Sequence, residues 1–330
     1  MSEKISAGSK LAAELVADQY NLMNANHTGR DSRMDDDSIV TFAEALEDMK
    51  ARVYEAEYPA LKARLFFNVD SGVDTGAEFF SFERGDARGK AKIISNHADD
   101  LPSVSVEGSK ENYPIVSLGT SFQWSIQDIR RAAFMGKPLA DRLSRAAQRA
   151  YEDLFDELAA FGDADSRITS GLLNDPNVSV EALAGAGVWS SKTPTEILAD
   201  LNALTAAVYN GSKELHMADT VLLPTAQYKR IAQTRLSVDN AETVLEAFRR
   251  ANPEVQRVDS WRKLTGAGAG STDRALAFSS RPDTHEINEP QPFEILPPQS
   301  RNLAFVVPCH GRSGGGAVLL PLAWKYMDGI

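Results

Sequence analysis

The chain has 330 residues, enough for two domains or one elaborated domain, and its 43% hydrophobic and 25% charged residues are typical of globular proteins. Its net charge of −11 disfavours a protein that reads DNA sequence through a basic surface. One cysteine excludes an internal disulfide, and no apolar run approaches the roughly 20 residues that span a bilayer, so we expect no membrane partner.

The first 40 residues are polar and offer few apolar side chains to bury. Within them, residues 11–23 have the spacing of a short amphipathic helix, which is marginal on its own in water. This segment therefore predicts an arm whose helix packs on another subunit.

Three extended segments follow the arm. Alternating Leu65, Phe67 and Val69 predict a first strand. Residues 78–94 and the segment from Val104 predict a long polar hairpin, and apolar alternation over residues 116–126 predicts a core strand. Because a lone hairpin is marginal in water, we expect this one to lie on a neighbouring molecule.

The strongest local pattern predicts a long amphipathic helix between Pro138 and Gly162. Its apolar residues recur at three- and four-residue spacing: Leu139, Leu143, Ala147, Ala150, Leu154 and Leu158. About 23 residues at ~1.5 Å each give a rod of roughly 35 Å, which is long for a compact domain.

Helices and strands alternate in the C-terminal half. Thr193, Pro194 and Glu196 form a capping box that begins a predicted helix, and Asn210 and Gly211 end it. The predicted apolar stripe of this helix is Ile197, Leu201, Leu204 and Val208. The remaining predicted elements are a buried strand at residues 221–223, a helix at 244–250, a flexible glycine-rich loop at 264–272, and strands at 275–278, 293–296, 303–307 and 317–320.

Two motifs superficially suggest nucleophilic catalysis. Residues 311–315 fit the G-x-S-x-G pattern, but no histidine follows Ser313 and a strand is predicted next, so a β-hairpin turn is favoured. Cys309 and His310 are adjacent on a predicted strand and should point to opposite faces. Neither motif predicts an active site.

The sequence also lacks a recognisable cofactor or metal motif. The glycine-rich loop has no lysine followed by Ser or Thr, as a phosphate loop requires. His285 and Glu286 begin like a zinc-protease helix, but Glu289 replaces the second histidine and Pro290 follows it. We therefore expect no catalytic, cofactor or metal site, and no enzyme.

Arg142, Arg145 and Arg149 share one side of the predicted long helix. Pairing with acidic residues at helical spacing is the favoured interpretation, and contact with a polyanion is the alternative. The acidic candidates for such pairing are Asp141, Glu152 and Asp153.

Four segments in succession carry a resemblance to a known family: Gly171-Leu-Leu-Asn-Asp-Pro, Thr193-Pro-Thr-Glu, Val221-Leu-Leu-Pro and the end from Pro321 to Ile330. Together they resemble the major capsid proteins of tailed double-stranded DNA phages, which share the Hong Kong phage-type capsid fold. The resemblance is to a branch related to bacterial encapsulating shell proteins, and it covers most of the chain.

The resemblance implies an α+β fold with an N-terminal arm, an extended β-hairpin loop, a peripheral domain with a long spine helix, and an axial domain. The implied boundaries are residues 1–50 for the arm, 51–76 and 114–170 for the peripheral domain, 77–113 for the extended loop, 171–289 for the axial domain, and 290–330 for strands that return to the peripheral domain.

The implied function is that of a major capsid protein, which forms pentamers and hexamers of an icosahedral virion shell assembled in the host bacterial cytoplasm. The expected partners are other copies of the chain, a portal protein, a separate scaffolding protein because only a short arm precedes the fold, a possible decoration or cement protein, and non-specifically packaged DNA. The spine helix would place the three arginines on the inner surface.

The extended loop would make the inter-subunit contacts through Phe79, Phe80, Phe82, Arg84, Arg88, Lys90 and Lys92. Some relatives join a loop lysine covalently to an asparagine of a neighbour. No such asparagine is matched in this sequence, so we expect no cross-link. An encapsulin-type nanocompartment shell and a soluble hydrolase are the alternative functions.

Overall fold

A computed structural model of the protein describes residues 59–90, 92, 103–135, 139–183, 185, 187–237 and 241–330. The predicted arm and its helix, and residues 93–102 of the predicted extended loop, lie outside these ranges. The described chain divides into two compact units, the first from residues up to 61, 120–149 and 295–309, and the second from residues 62–119, 150–294 and 310–330.

In the described residues, α-helices run over Ala63–Phe66 (α1), Ile126–Met135 (α2), Leu139–Phe161 (α3), Pro194–Gly211 (α4), Thr225–Gln233 (α5) and Val244–Ala251 (α6). β-Strands run over Val69–Asp70 (β1), Phe79–Arg88 (β2), Ser105–Pro114 (β3), Val116–Ser125 (β4), Val180–Glu181 (β5), Thr220–Leu223 (β6), Arg257–Ser260 (β7), Arg274–Phe278 (β8), His285–Asn288 (β9), Gln291–Ile295 (β10), Gln299–Arg301 (β11), Ala304–Ser313 (β12), Gly315–Val318 (β13) and Trp324–Asp328 (β14).

A mixed five-stranded sheet forms the centre of the second unit, in the order β5-β14-β8-β6-β7. Its central strand β8 is antiparallel to both β6 and β14, whereas the outer strands β7 and β5 are parallel to their neighbours. Every residue of β6 and β8 is buried. Burial on both faces explains why residues 221–223 of β6 and 275–278 of β8 are continuous apolar runs in the sequence.

Each face of this sheet packs into a separate apolar core. One core is shared with α4 and α6 and contains Val221, Leu223, Ala275, Ala277 and Met327. The other contains Leu222, Leu276, Phe278, Trp261 and Trp324, together with residues of α1 and α3. Trp124 and Trp189 are also buried, so all four tryptophans lie inside the protein.

Helix α4 matches its prediction. The Thr193 hydroxyl accepts the Glu196 N–H while the Glu196 carboxylate accepts the Thr193 N–H, and Pro194 is the first helical residue. The predicted apolar stripe is fully buried: Ile197, Leu201, Leu204 and Val208.

Helix α3 has its predicted extent, but its buried face is rotated from the predicted stripe. It ends before Gly162, whose φ of +72° and close approach to the Ile168 carbonyl exclude a side chain. The core-facing residues are Ala147, Tyr151, Phe155 and Leu158. Leu154, which the sequence pattern assigned to the core, is 45% exposed because the aromatic residues on either side of it fill the buried face.

The predicted strand at residues 65–69 is wrong for most of its length, since residues 63–66 form the short helix α1. A helical turn lets Ala63 and Phe66 both enter the core and leaves Leu65 exposed. Asp156 holds the turn, because its carboxylate accepts the backbone N–H groups of Lys62 and Ala63.

Several further elements of the described chain were not predicted: the helices α2 and α5, and the strands β5, β7, β9, β11 and β14. Helix α2 begins at Ile126, where alternation predicted continued strand. The Asp128 carboxylate there accepts the Ser125 N–H and hydroxyl and starts a helical turn.

Two smaller sheets and the two-stranded ribbon β2-β3 complete the described fold. Strand β9 lies between β1 and β13, and β12 lies between β10 and β11 and also pairs with β4. Gly314 separates β12 from β13, so the chain passes there from one sheet to the other. The predicted hairpin turn at residues 311–315 is therefore a turn between two sheets.

Candidate assembly interface

Strands β2 and β3 form a ribbon of ten antiparallel residue pairs, from Phe79 opposite Pro114 to Arg88 opposite Ser105. The predicted hairpin is confirmed over these residues. In the described part of the fold the two strands pair only with each other. Such a ribbon needs further contacts to be stable.

Aromatic side chains anchor the base of the ribbon in the second unit. Phe80 is buried and stacks on Tyr113 with ring centroids 5.1 Å apart, and Phe82 stacks on Tyr113 at 5.7 Å. Phe80 also packs with Ile115 and Ala317. Phe80 and Phe82 are two residues apart on β2 and therefore lie on the same face. The base of the ribbon is packed through this face.

The outer half of the ribbon carries a different pattern on its two faces. On the face opposite Phe80, Val104 and Val106 are 70% and 74% exposed. Gly85 and Gly108 lie opposite each other on this face, and a β-carbon at either position would meet no atom within 4 Å. We call Val104, Val106, Gly85 and Gly108 the apolar face.

The other face of the outer ribbon is polar. Strand alternation places Ser105, Glu107 and Ser109 there, opposite the backbone positions of Arg88, Asp86 and Arg84. Ser105, Glu107 and Ser109 are exposed. The outer half of the ribbon is therefore amphipathic, and the valines of its apolar face are exposed to solvent.

The residues predicted for loop contacts are distributed along the whole ribbon. Phe80 and Phe82 pack at the base of the ribbon. Phe79 is half exposed, and Lys90 and Lys92 are exposed. The valines of the apolar face were missed as site residues. Their signal was present in the sequence, since Val104 and Val106 alternate with serines in an otherwise polar segment.

The three predicted arginines lie on the part of α3 that belongs to the first unit. Arg142 and Arg145 are exposed, and Arg149 is half-buried with Nη2 donating to the Pro59 carbonyl at 2.5 Å. Glu152, a predicted partner of these arginines, is instead bound by Arg64.

A charge cluster that sequence reasoning missed joins three distant parts of the second unit. The Arg64 guanidinium donates to both oxygens of Glu289, at 2.7 and 2.6 Å, and to Glu152 at 2.9 Å, and it covers the ring of Phe155. Burial alone would lower the pKa of Arg64, but the bonds to the two carboxylates raise it. Tyr151 donates to Glu289, and burial followed by that negative charge raises the pKa of its hydroxyl.

The motifs rejected as catalytic occupy structural positions. Ser313 is fully buried and its hydroxyl donates to the Asn288 carbonyl, so it is not an exposed nucleophile. Cys309 is buried, which raises the pKa of its thiol to about 11. The glycine-rich loop, predicted to be flexible, is bonded to the sheet where Asp328 accepts the Ala269 N–H.

Within the described residues, no three His, Cys, Asp or Glu side chains are grouped so as to hold a metal ion. No helix of the described chain is both long and apolar enough to cross a bilayer.

The described chain is an α+β protein with a 23-residue helix, a two-stranded ribbon with an exposed apolar face, and a mixed five-stranded sheet. The model of the family described as major capsid protein matches residues 89–330. The chain therefore belongs to the major capsid protein family. No curated protein sequence matches it.

Solved structures place the fold among phage capsids. The chain is similar to the capsid of Myoviridae phage XM1, with 20% identity, a TM-score of 0.78, and coverage of 87% of this chain and 98% of that one. It is also similar to the capsid of a native GTA particle, with 13% identity, a TM-score of 0.63, and coverage of 90% and 99%.

A virus-like particle from Pyrococcus furiosus matches less well, with 13% identity, a TM-score of 0.51, and coverage of 80% and 91%. The Hong Kong phage-type fold and the function of a major capsid protein are confirmed, and the nanocompartment alternative is not favoured. The domain boundaries and the predicted contact residues stay predictions.

Proposed function

We propose that the protein assembles as pentamers and hexamers into an icosahedral shell that encloses the double-stranded DNA of a tailed phage in the cytoplasm of a bacterial host. Membership of the capsid family supports this proposal, as does similarity to a protein whose structure is that of a phage capsid. The observation that carries it on this chain is the exposed apolar face of the ribbon.

The apolar face favours a contact with another molecule on physical grounds. Val104 and Val106 expose most of their surface to water, and burying a valine is worth roughly 1.5–3 kcal/mol. The two glycines beside them leave room for a close approach. Two valines per subunit are a modest contribution, but a closed shell repeats the contact at every subunit.

The occupant of this face is a second copy of the chain. In a ring of identical subunits, each subunit gives one ribbon to its neighbour and receives one from the other side, so every apolar face is covered. The polar face, with Ser105 and Glu107, then remains in contact with water.

Two substitutions at neighbouring positions test the use of this face. Val106→Asp places a charge on the apolar face, and Ser105→Asp places the same charge on the polar face one residue away. We expect both variants to fold with similar thermal stability, and only Ser105→Asp to form closed shells by electron microscopy. Shells formed equally well by both variants would contradict the proposed contact.

The shell also requires partners that act on its inner and outer surfaces. We propose a portal protein, a separate scaffolding protein, a decoration or cement protein and packaged DNA in these roles, by analogy with the family. On the inner surface, Arg142, Arg145 and Arg149 form a surface that attracts a polyanion.

Neutralising Arg142 and Arg145 to glutamine tests this surface. Both side chains are exposed, so their loss should change the free energy of unfolding by less than about 1 kcal/mol. We expect the double variant to fold and to show altered packaging or scaffold-dependent assembly, measured as the DNA content of purified particles. Normal DNA content would contradict the proposal.

A further inference from the structure

A turn that follows α4 holds a leucine side chain out in solvent. Lys213 and Glu214 have φ values of +53° and +69°, and in the described chain no other two consecutive non-glycine residues adopt this left-handed backbone. The conformation is unfavourable for residues with a β-carbon, so the surrounding fold must impose it. The next residue, Leu215, is 72% exposed. The turn therefore presents Leu215, which we call the knob, on the surface of the second unit.

Hydrogen bonds hold the turn in this conformation. The Glu214 N–H donates to the Tyr209 carbonyl at 2.9 Å, and the buried Ser212 hydroxyl accepts the His216 N–H at 3.0 Å. Leu215 is therefore positioned before any partner binds. Because the turn is already ordered, a partner that covers the knob gains buried apolar surface at little cost in conformational entropy.

The apolar face of the ribbon contains a gap that suits such a side chain. Gly85 and Gly108 lie opposite each other, and a β-carbon at either position would meet no atom within 4 Å. Val106 and Lys110 lie two residues to either side of Gly108, about 7 Å along the strand. Gly85 is five residues beyond the anchored Phe80, about 17 Å along the ribbon. This gap, which we call the notch, has room for one branched aliphatic side chain.

The charges beside the knob and the notch are complementary. Lys213 and Glu214 directly precede the knob. Glu83 and Lys110 lie opposite each other beside the notch. All four side chains are exposed, and among the described residues none of them forms an ion pair. Each surface therefore offers one positive and one negative charge to the other, and a single docking orientation brings unlike charges together on both sides of Leu215.

We propose that Leu215 of one copy inserts into the notch on the ribbon of a neighbouring copy, with Glu214 paired to Lys110. The proposal rests on the contact between copies proposed for the ribbon, and it identifies the surface that receives the ribbon. Leu215 and Val106 are both exposed in the described subunit, so the contact joins two chains. Since every copy carries one knob and one notch, the contact is head to tail and closes a ring of identical subunits.

An engineered disulfide between copies tests the contact directly. Val106→Cys with Leu215→Cys places one thiol beside the notch and the other on the knob, and the native Cys309 is buried. We expect oxidised shells of this double variant to give a ladder of linked chains on a non-reducing denaturing gel, whereas each single variant stays a monomer. Val106→Cys with Leu303→Cys is the matched control, because Leu303 is also 72% exposed, and it should give no ladder.

Mixing isotopically labelled and unlabelled chains assigns the disulfide to one chain or to two. A link within one chain, or equal ladders from the test and control variants, would overturn the proposal. If Val106→Asp abolishes shells but the double cysteine variant forms no ladder, the receiving surface is wrong and the ribbon contact stands. Shells that Val106→Asp leaves intact would remove the ribbon contact and its receiving surface together.

Charge reversal supplies an independent readout. Lys110→Glu and Glu214→Lys should each raise the protein concentration needed for assembly by about three- to tenfold, because like charges then meet at every contact. The two changes together restore unlike charges and should return that concentration to within about twofold of the wild-type value. Glu254→Lys makes the same change at another exposed position of the second unit and should have little effect. A double variant that assembles no better than the single variants would contradict the pairing.

Discussion

The buried carboxylate of Glu289 is neutralised by one residue, Arg64. Glu289 is 2% exposed and takes both of its strong bonds from the Arg64 guanidinium. Removing a single partner of such a pair leaves an uncompensated buried charge, which costs about 3–5 kcal/mol.

We predict that Arg64→Met lowers the free energy of unfolding by about 3 kcal/mol, measured by urea denaturation of unassembled protein. Arg281→Met is the matched control, because Arg281 and its partner Asp283 are both about half exposed. The control should lose no more than about 1 kcal/mol. Equal losses in the two variants would show that burial of Glu289 is not the cause.

His285 makes stability depend on pH. It is buried among the rings of Phe67, Phe278 and Trp324, at 5.4, 5.3 and 5.2 Å, and burial lowers its pKa from 6.5 to about 4. The unfolded chain therefore takes up the proton more readily than the folded one. The stabilisation is present above pH 6.5 and is lost as pH falls towards 4.

We predict that the native protein loses on the order of 3 kcal/mol of stability between pH 7 and pH 4 through this residue. His285→Asn removes the titration, so the variant should lose less stability over the same interval. The measurement is urea unfolding at both pH values. Parallel losses in the two proteins would assign the acid sensitivity to carboxylates instead.

At the scale of single elements, Gly162 ends α3 because no other residue fits there. Its φ is +72°, and a β-carbon would lie 2.3 Å from the Ile168 carbonyl oxygen. We predict that Gly162→Ala lowers the melting temperature of the unassembled protein by several degrees, corresponding to about 1–3 kcal/mol. Gly85→Ala makes the same change in open space and should leave the melting temperature unchanged.

Elements with strong local signals were predictable from the sequence. The capping box at Thr193, the long apolar period before Gly162 and the polar hairpin each involve residues close together in the chain. Helix α1 was not predictable, because the turn at Ala63 is held by Asp156, more than ninety residues away.

In the candidate site, too, features that depend on neighbouring residues were predictable and those that depend on distant residues were not. The ribbon and the arginine row follow from local patterns, and so does the apolar face once the register of the two strands is known. The bond from Arg64 to Glu289 joins positions 225 residues apart, and no spacing rule in the sequence identifies it. Long-range pairing of charges is decided by tertiary packing and not by local propensity.

At the scale of the whole molecule, the shell is expected to be held by non-covalent contacts alone. Lys90 and Lys92 are exposed in the extended loop, but the sequence offers no matched asparagine for a cross-link. We predict that boiled particles give a single band near 35.9 kDa on a denaturing gel. A ladder of heavier bands would contradict this and direct attention to the two lysines.

The buried tryptophans determine which spectroscopic signal can follow assembly. All four are inside the protein, and none lies on the ribbon or in residues 1–58. Tryptophan fluorescence should therefore report unfolding of the subunit but stay constant while subunits associate. Light scattering would follow shell growth in the same sample, and a shift in emission during that growth would reveal that the subunit core itself rearranges as the shell closes.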